Sequence, residues 1–236
     1  MNILLTCLLW LLAPLALAEP ALHTDLPLAY REQPAAAGEA ASLVILLHGY
    51  GSNEQDLLGL AAELPGQATY LSVRAPMALD REAYQWFTPL SGAPEYDGLA
   101  TDVAASEARL LDFIAAAAHK YQVAPADITL VGFSQGAIIS YQLALRHPHS
   151  VGAVAALSGK ILPALRSTLP FNRKDDGVRW FIAHGTADAV LPVSGATQAD
   201  QCLRSLGIDA QVHIYPGLAH SISPAELADL RRWLQR

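Results

Sequence analysis

The sequence predicts a single α/β domain built around a mostly parallel central β-sheet with helices on both faces. Short apolar runs alternate with amphipathic stretches along nearly all of the 236 residues. The short runs are apolar at successive positions, which is typical of strands covered on both faces. Alternation of strand and helix favours parallel strands joined by right-handed crossovers. A chain of this length folds as one or two domains, and no linker, repeat or low-complexity segment divides it.

Six strands and four helices are predicted. The strands are predicted at Leu43–Leu47, Thr69–Val73, Ile128–Val131, Val151–Leu157, Trp180–Ala183 and Ala210–Tyr215. The helices are predicted at Asp102–Tyr121, Gln135–Arg146, Pro192–Leu206 and Pro224–Gln235. Thr101 is expected to cap the first helix, whose acidic first turn and terminal Lys120 suit the helix dipole. Pro224 suits the last helix because proline is favoured at the first helical position.

The composition excludes several functional classes. The 15 Lys and Arg residues and the 22 Asp and Glu residues give a net charge of −7. Proteins that bind nucleic acids are usually basic, so we expect no nucleic-acid partner. Two cysteines are too few for a disulfide scaffold or a cysteine-rich metal site. With 52% hydrophobic residues the chain has ample material for a buried core.

The first 18 residues are predicted to be a secretory signal peptide. They contain no charged side chain, and their apolar run closes in an A-x-A motif at Ala18. Cleavage between Ala18 and Glu19 would leave a periplasmic or secreted mature chain without stable membrane insertion. An uncleaved membrane anchor remains the alternative. Residues 19–41 are predicted as an N-terminal segment that leads into a single domain over residues 42–236.

The segment 128–137 carries the most informative motif. An apolar strand is followed by Gly132-Phe-Ser134-Gln-Gly136 and then by a helix. A G-x-S-x-G pattern between a strand and a helix is typical of a tight, strained turn that exposes a nucleophilic serine. The two glycines leave room where a Cβ atom would clash, and the helix N-terminus favours negative charge nearby. Ser134 is therefore the predicted nucleophile.

A nucleophilic serine needs a base to remove its proton and an acid to orient that base. For this turn the acid and then the histidine follow the serine along the chain. His220 lies in the loop between the last strand and the last helix, and Asp188 lies in the loop after the preceding strand. We therefore predict Asp188 as the acid and His220 as the base. The remaining histidines after Ser134 are predicted to be structural or solvated, namely His147, His149, His184 and His213.

The turn after the first predicted strand has the sequence His48-Gly-Tyr50-Gly. A glycine-rich turn at this place presents backbone N–H groups to the site, and we predict the N–H of Tyr50 as one donor of an oxyanion hole. The second predicted donor is the N–H of Gln135, directly after the nucleophile. His48 is interpreted as a residue that orients the turn and not as a second base.

These motifs resemble those of the phospholipase/carboxylesterase family, which includes acyl-protein thioesterases and small bacterial carboxylesterases. The resemblance covers about residues 42–234 and is carried by the segments LLHGYGSNEQDL, RAP, QWF, GFSQGA, HGTADAVLP and YPGLAHSIS. It implies an α/β-hydrolase fold without a large lid domain, acting on carboxylic esters or thioesters. The chain departs from many relatives at Tyr50, where a smaller residue is common, and at Thr88, where an acidic residue is common.

The resemblance implies the same site residues as the motifs. It assigns the triad to Ser134, Asp188 and His220, and the oxyanion hole to the N–H groups of Tyr50 and Gln135. The predicted function is that of a serine hydrolase that cleaves carboxylic esters or thioesters of short-to-medium acyl chains through an acyl-enzyme.

The expected partner is a small-molecule ester, and no metal ion or organic cofactor is expected. Four apolar residues next to the motifs are the predicted pocket walls, namely Trp86, Phe87, Leu191 and Leu218. A serine peptidase or a lysophospholipase-type hydrolase on the same fold remains an alternative, as does a non-catalytic binding protein. The oligomeric state is left open.

Overall fold

The structure is a computed structural model that describes residues 20–36, 42–93, 95–169 and 177–235. The predicted signal peptide and its cleavage site at Ala18 lie outside the described residues. None of the helices in these ranges has both the length and the apolar character needed to cross a membrane.

Ten strands and five α-helices form within the described part of the chain. The strands are β1 (Leu22–His23), β2 (Tyr30–Gln33), β3 (Ser42–Leu47), β4 (Ala68–Val73), β5 (Met77–Ala78), β6 (Tyr84–Gln85), β7 (Ile128–Phe133), β8 (Ala153–Leu157), β9 (Arg179–Gly185) and β10 (Ala210–Tyr215). The helices are α1 (Ala100–Tyr121), α2 (Gln135–Arg146), α3 (Pro163–Arg166), α4 (Ser194–Ser205) and α5 (Pro224–Leu234). All six predicted strands and all four predicted helices are confirmed, and their ends differ from the predicted ones by two residues at most.

Eight strands form one sheet in the order β1-β2-β4-β3-β7-β8-β9-β10, and β5 pairs with β6 apart from it. Strands β3, β4 and β7 to β10 run parallel, whereas β1 and β2 are antiparallel to their neighbours. We call the edge where the parallel strands end the carboxyl edge, and the opposite one the amino edge. The loops after β3, β7, β9 and β10 therefore meet at the carboxyl edge. Within the described ranges no separate lid domain covers it.

The two faces of the sheet bury two separate apolar layers. Along β3, Leu43, Ile45 and Leu47 belong to one layer, whereas Val44 and Leu46 belong to the other. Such alternation follows from the strand geometry, because successive side chains point to opposite faces. Helices α1, α2 and α4 contribute to the first layer and α5 to the second. The predicted arrangement of a parallel sheet with helices on both faces is therefore confirmed.

The N-terminal segment adds two strands that the sequence pattern did not predict. Both β1 and β2 lie within residues 19–41, which the pattern presents only as a segment leading into the domain. Tyr30 is fully buried and pairs with Val73 of β4. The other three residues of β2 are polar, so this short strand has no apolar run that could reveal it. The sheet thus begins before residue 42.

The predicted cap of the first long helix is wrong. Helix α1 begins at Ala100, and its N-cap is Leu99, whose side chain makes no capping hydrogen bond. Thr101 lies inside the first turn. Asp102 instead accepts a hydrogen bond from the Thr88 N–H at 3.1 Å. Asp102 in the first turn of α1 therefore binds the loop that precedes the helix.

Candidate active site

The serine of the G-x-S-x-G motif is the single residue between β7 and α2. Its φ of 53° and ψ of −116° are rarely adopted by residues that carry a Cβ atom. Two backbone hydrogen bonds hold the turn. The Ser134 N–H donates to the carbonyl oxygen of Leu157 at 2.9 Å, and the Ser134 carbonyl oxygen accepts from the Ile138 N–H at 3.0 Å. The strained turn predicted from the motif is present.

The two glycines of the motif are required because backbone segments approach each other closely. A Cβ atom on Gly132 would lie 2.3 Å from the carbonyl oxygen of Gly136. A Cβ atom on Gly136 would lie 1.9 Å from the carbonyl oxygen of Leu47, at the end of the neighbouring strand β3. The obstacle is backbone in both cases, so it cannot rotate away. A larger residue at either position would displace the turn that carries Ser134.

Ser134, His220 and Asp188 form one chain of hydrogen bonds. His220 Nε2 lies 2.9 Å from Ser134 Oγ, and His220 Nδ1 lies 2.6 Å from Asp188 Oδ2. A carboxylate can only accept from Nδ1, so Nε2 of the neutral imidazole is free to accept the serine proton. Ser134 and Asp188 are buried and His220 is half-buried. The parallel sheet brings the three residues together, since each follows a strand that ends at the carboxyl edge.

Three hydrogen-bond donors surround the Asp188 carboxylate. Oδ1 accepts from the N–H groups of Val190 at 2.9 Å and Leu191 at 2.8 Å, and Oδ2 accepts from His220. Burial alone would raise the pKa of Asp188, but the hydrogen bonds from His220, Leu191 and Val190 outweigh it, so the pKa lies below its usual value. Asp188 is therefore ionised at neutral pH.

The glycine-rich turn after β3 lies beside Ser134. A Cβ atom on Gly49 would be 3.3 Å from the Ser134 Cβ atom. His48 Nε2 accepts from the Ala75 N–H at 3.1 Å, so Nδ1 carries the proton and donates to the Gly49 carbonyl oxygen at 2.7 Å. In a trans peptide the carbonyl and the following N–H point in opposite directions. The Tyr50 N–H therefore points away from the His48 ring, as expected if His48 orients the turn.

Trp86 and the side chain of Gln135 connect the two turns whose N–H groups are the predicted oxyanion donors. Trp86 Nε1 donates to the His48 carbonyl oxygen at 2.9 Å, and the Trp86 N–H donates to Gln135 Oε1 at 2.9 Å. Gln135 Nε2 donates to the Phe87 carbonyl oxygen at 2.8 Å and to Tyr96 Oη at 3.1 Å. All polar atoms of this buried amide are thus used to hold the segment that follows β6.

The four predicted pocket walls have unequal exposure. Trp86, Phe87 and Leu191 are almost completely buried. They pack in the core, so the structure gives no support to their prediction as walls of an open pocket. Leu218 is half-buried and lies two residues before His220. Tyr50 is 52% exposed at the same edge, so its aromatic ring is available to a substrate.

Three residues that contact the predicted catalytic groups were missed by sequence reasoning. The Phe133 ring centroid lies 4.9 Å from that of His220. Tyr96 binds the Gln135 side chain from a loop that has no motif of its own. His184 Nε2 lies 3.2 Å from Asp188 Oδ2. Phe133 and His184 had a visible signal, because they lie in the segments that carry the nucleophile and the acid, whereas Tyr96 had none.

The other histidines after Ser134 lie apart from this arrangement. His147 Nε2 lies 2.8 Å from Glu107 Oε1, and His213 Nδ1 lies 3.2 Å from Asp229 Oδ2. His149 belongs to a short 3-10 helix at Pro148–Ser150. Across the described ranges, no group of three or more His, Cys, Asp or Glu side chains is arranged to hold a metal ion.

The strand order, the strained serine turn and the residues gathered at the carboxyl edge define a protein of the α/β-hydrolase class. A family model described as phospholipase/carboxylesterase matches residues 31–236. The chain therefore belongs to the phospholipase/carboxylesterase family, which confirms the resemblance seen in the motifs.

Individual relatives agree with this family. Acyl-protein thioesterase 1 of Debaryomyces hansenii is 37% identical over 114 residues, which are 47% of this chain and 48% of that protein. In such matches the chain spans about half the length of the curated relatives. The crystal structure of esterase PE8 is 32% identical, has a TM-score of 0.76 and covers 87% of this chain and 97% of its own. A carboxylesterase from Mesorhizobium loti is 26% identical, has a TM-score of 0.80 and covers 92% and 99%.

Proposed function

We propose that this chain is a serine hydrolase that cleaves carboxylic esters or thioesters through an acyl-enzyme on Ser134. The observation that carries the proposal is the hydrogen-bonded chain from Ser134 Oγ through His220 to Asp188, with distances of 2.9 and 2.6 Å. Serine is a poor nucleophile by itself. A base within hydrogen-bond reach, oriented by a carboxylate, is the arrangement that activates it.

In the first half of the reaction, Ser134 Oγ attacks the carbonyl carbon while His220 Nε2 takes the hydroxyl proton. The carbonyl oxygen becomes an oxyanion, which the N–H groups of Tyr50 and Gln135 stabilise. The charge of Asp188 stabilises the imidazolium that has formed. His220 then returns the proton to the leaving oxygen or sulfur as its bond to the carbonyl carbon breaks. The acyl group stays bound to Ser134 Oγ.

In the second half, water takes the place of the serine hydroxyl. His220 Nε2 removes a proton from the water, whose oxygen attacks the acyl-enzyme carbonyl carbon. The same two N–H groups bind the second oxyanion. His220 gives its proton to Ser134 Oγ, the acyl bond to the enzyme breaks, and the carboxylic acid leaves.

Short-to-medium acyl chains are the proposed substrates. Trp86, Phe87 and Leu191 are packed in the core, whereas Tyr50 and Val190 are exposed apolar side chains at the carboxyl edge. Burial of each substrate methylene against them would contribute about 0.8 kcal/mol. A few methylenes would cover this surface fully, so further methylenes of a longer acyl chain would add little binding free energy.

Both ester and thioester cleavage need to be tested. One relative is named an acyl-protein thioesterase and two solved structures are named an esterase and a carboxylesterase. Residues 1–18 are proposed as a signal peptide that directs the chain to the periplasm or out of the cell. We therefore favour small esters over acylated cytosolic proteins. N-terminal sequencing of the exported protein tests this point, since a start at Met1 would contradict cleavage after Ala18.

The function is tested with the purified full-length protein and p-nitrophenyl esters of increasing acyl length, with matched thioesters in parallel. We expect turnover with an optimum at short or medium length. The blank is Ser134→Ala, which removes the nucleophile. The matched control is Ser205→Ala, which removes an exposed hydroxyl at the end of α4 and should retain full activity.

Two results would contradict the proposal. Equal turnover by folded Ser134→Ala would remove Ser134 as the nucleophile. If the folded protein cleaved no ester or thioester, the peptidase and the non-catalytic binding protein would replace it. Preferential cleavage of lysophospholipids over the simple esters would instead assign the lysophospholipase-type activity.

A further inference from the structure

His184 is a buried histidine at the carboxyl edge that the proposed reaction does not use. It belongs to the end of β9, four residues before Asp188, and is completely buried. Its Nε2 atom lies 2.8 Å from the Leu191 carbonyl oxygen and 3.2 Å from Asp188 Oδ2. The Leu191 N–H in turn donates to Asp188 Oδ1 at 2.8 Å. His184, Leu191 and Asp188 thus form a closed ring of polar contacts.

The surroundings of His184 determine its tautomer. Both oxygens near Nε2 are acceptors, so an unprotonated Nε2 would direct a lone pair at two negative atoms. Nε2 therefore carries a proton and donates to Leu191. Nδ1 has no hydrogen-bond partner among the described residues, so a second proton there would be buried without an acceptor. The contacts therefore place a ring proton on Nε2.

We propose that His184 is a positioning residue that holds Asp188 in line with His220. Its Nε2–H holds the carbonyl group of Leu191, the residue whose N–H donates to Asp188 Oδ1, and the same Nε2–H faces Asp188 Oδ2. With Oδ1 held in this way, Oδ2 is directed at His220 Nδ1, 2.6 Å away. The proposal rests on the proposed function, because it concerns the orientation of the base in that reaction.

The contact also affects the charge that His220 experiences. The N–H of His184 stabilises part of the negative charge on Asp188 Oδ2, which weakens the attraction of Asp188 for a proton on His220. Without this N–H, the carboxylate would attract a proton on His220 more strongly. The acid limb of kcat/KM would then move to higher pH. A histidine that only fills space would not move this limb when replaced.

A pair of amide substitutions separates the two roles. In His184→Gln the amide nitrogen stands as far along the side chain as Nε2, so it can donate to Leu191. In His184→Asn the amide is one bond shorter and cannot reach. We expect His184→Gln to keep the acid limb of the wild-type protein. We expect His184→Asn to move the limb to higher pH and to lower kcat by about 10²-fold, the typical effect of a misplaced catalytic group, with little change in KM.

The matched control is His213→Asn, because His213 also lies beside an aspartate, Asp229, but outside the site. It should leave the limb unchanged. An unmoved limb in folded His184→Asn would overturn the inference, and so would equal shifts in both His184 variants. Absence of Ser134-dependent turnover in the wild-type protein would instead contradict the proposed function, so the two failures are distinguishable.

A second measurement needs no variant. The ¹⁵N chemical shifts of the His184 ring in the wild-type protein report which nitrogen carries the proton. We expect the ring proton on Nε2, where it can be donated to the Leu191 carbonyl oxygen. An unprotonated Nε2 would overturn the inference, even if neither amide variant folded.

Discussion

The two edges of the parallel sheet are formed by the same strands but differ in backbone strain. Ser134 and Ser158, which directly follow β7 and β8 at the carboxyl edge, have φ angles of 53° and 49°. The third non-glycine residue with such an angle in the described part of the chain is Gln122. It follows the end of α1, where a left-handed residue is common. The unusual strain is thus concentrated beside the proposed catalytic residues.

Within the described residues, the amino edge contains a cavity instead of strained residues that directly follow a strand. The volume of this cavity is about 610 Å³. Its lining includes residues at the beginnings of β3, β4, β7 and β9, namely Ser42, Ala68, Thr129 and Arg179. This cavity lies apart from the proposed catalytic residues, so the volume of a cavity does not by itself locate the active site. Strained backbone and buried, hydrogen-bonded titratable groups are better indicators.

The strain at Ser134 is tested by replacing it with both alanine and glycine. Each variant lacks the nucleophile, so kcat should fall by about 10⁶-fold. Glycine adopts positive φ readily and would release strain of about 1–3 kcal/mol. This exceeds the usual penalty of about 0.5–1 kcal/mol for glycine relative to alanine. We expect Ser134→Gly to unfold at higher urea concentration than Ser134→Ala.

The control for this prediction is Ala104→Gly, at an exposed position in the second turn of α1. There glycine should cost about 1 kcal/mol relative to alanine. If Ser134→Gly were the less stable member of its pair, the turn would not be strained in solution and the difference between the edges would disappear.

The oxyanion donor at Tyr50 is tested by removing its N–H. Proline has no N–H, so Tyr50→Pro should lower kcat by about 10²- to 10³-fold. Tyr50→Ala keeps the N–H and removes the ring that is proposed to contact the acyl chain, so KM should rise while kcat stays near that of the wild-type protein. Initial rates over a range of concentrations of the best p-nitrophenyl ester give kcat and KM of both variants. Equal kcat values for two folded variants would show that the Tyr50 N–H does not bind the oxyanion.

Glu226 gives a pH dependence of stability at the carboxyl edge. It lies in the first turn of α5, after the His220 loop, and its Oε1 atom has no partner among the described residues. Burial raises the pKa of Glu226 from 4.5 to about 7. Between these two values the unfolded chain loses a proton that the folded chain keeps. The free energy of unfolding therefore falls as pH rises through this window, by up to about 3 kcal/mol at 1.36 kcal/mol per pKa unit.

Glu226→Gln removes this titration and keeps the capping interaction with Ser223, since glutamine also serves at this position of a capping box. We expect the variant to be more stable than the wild-type protein at pH 8 and no more stable at pH 4. Urea unfolding at several pH values measures the difference. The exposed Glu63→Gln serves as the control for the same change of side chain at the surface. A gain in the free energy of unfolding that is the same at every pH would contradict the raised pKa of Glu226.

The residues of the proposed triad could be predicted because each carries a local signal and the topology supplies the rest. The glycines around Ser134 report a close backbone approach that depends on a few neighbouring residues. The positions of Asp188 and His220 follow from the order of strands, since loops after parallel strands meet at one edge. No distance had to be known for these predictions.

The remaining features depend on contacts between distant segments. Trp86 and Phe87 stand close to motif residues in the sequence, but their side chains are buried in the core, and the Gln135 side chain, about 50 residues away, binds their backbone groups. Strand β2 has one apolar residue, Tyr30, and is stabilised by pairing with β4. His184 looks like a packed histidine until its distance to Asp188 is known. Sequence patterns report periodicity and local geometry, and they do not report such pairings.

The smallest expected effect comes from removing one tyrosine hydroxyl at each edge. Tyr70 Oη donates to the Pro65 carbonyl oxygen at 2.8 Å, and both residues line the cavity at the amino edge. Tyr70→Phe should lower the free energy of unfolding by about 1 kcal/mol and leave kcat/KM unchanged. Tyr96→Phe is the matched change at the carboxyl edge, where it removes the contact with Gln135 Nε2.

Tyr96→Phe should lower kcat/KM because the Gln135 side chain holds the residue whose N–H is the proposed oxyanion donor. Urea unfolding and ester turnover of the two variants, measured side by side, give both quantities. A loss of kcat/KM in Tyr70→Phe equal to that in Tyr96→Phe would show that the amino edge is coupled to the chemistry. Unchanged kcat/KM in Tyr70→Phe, with a loss in Tyr96→Phe, would instead mean that the Tyr70 hydroxyl supports only the fold, whereas the Tyr96 hydroxyl also supports the chemistry.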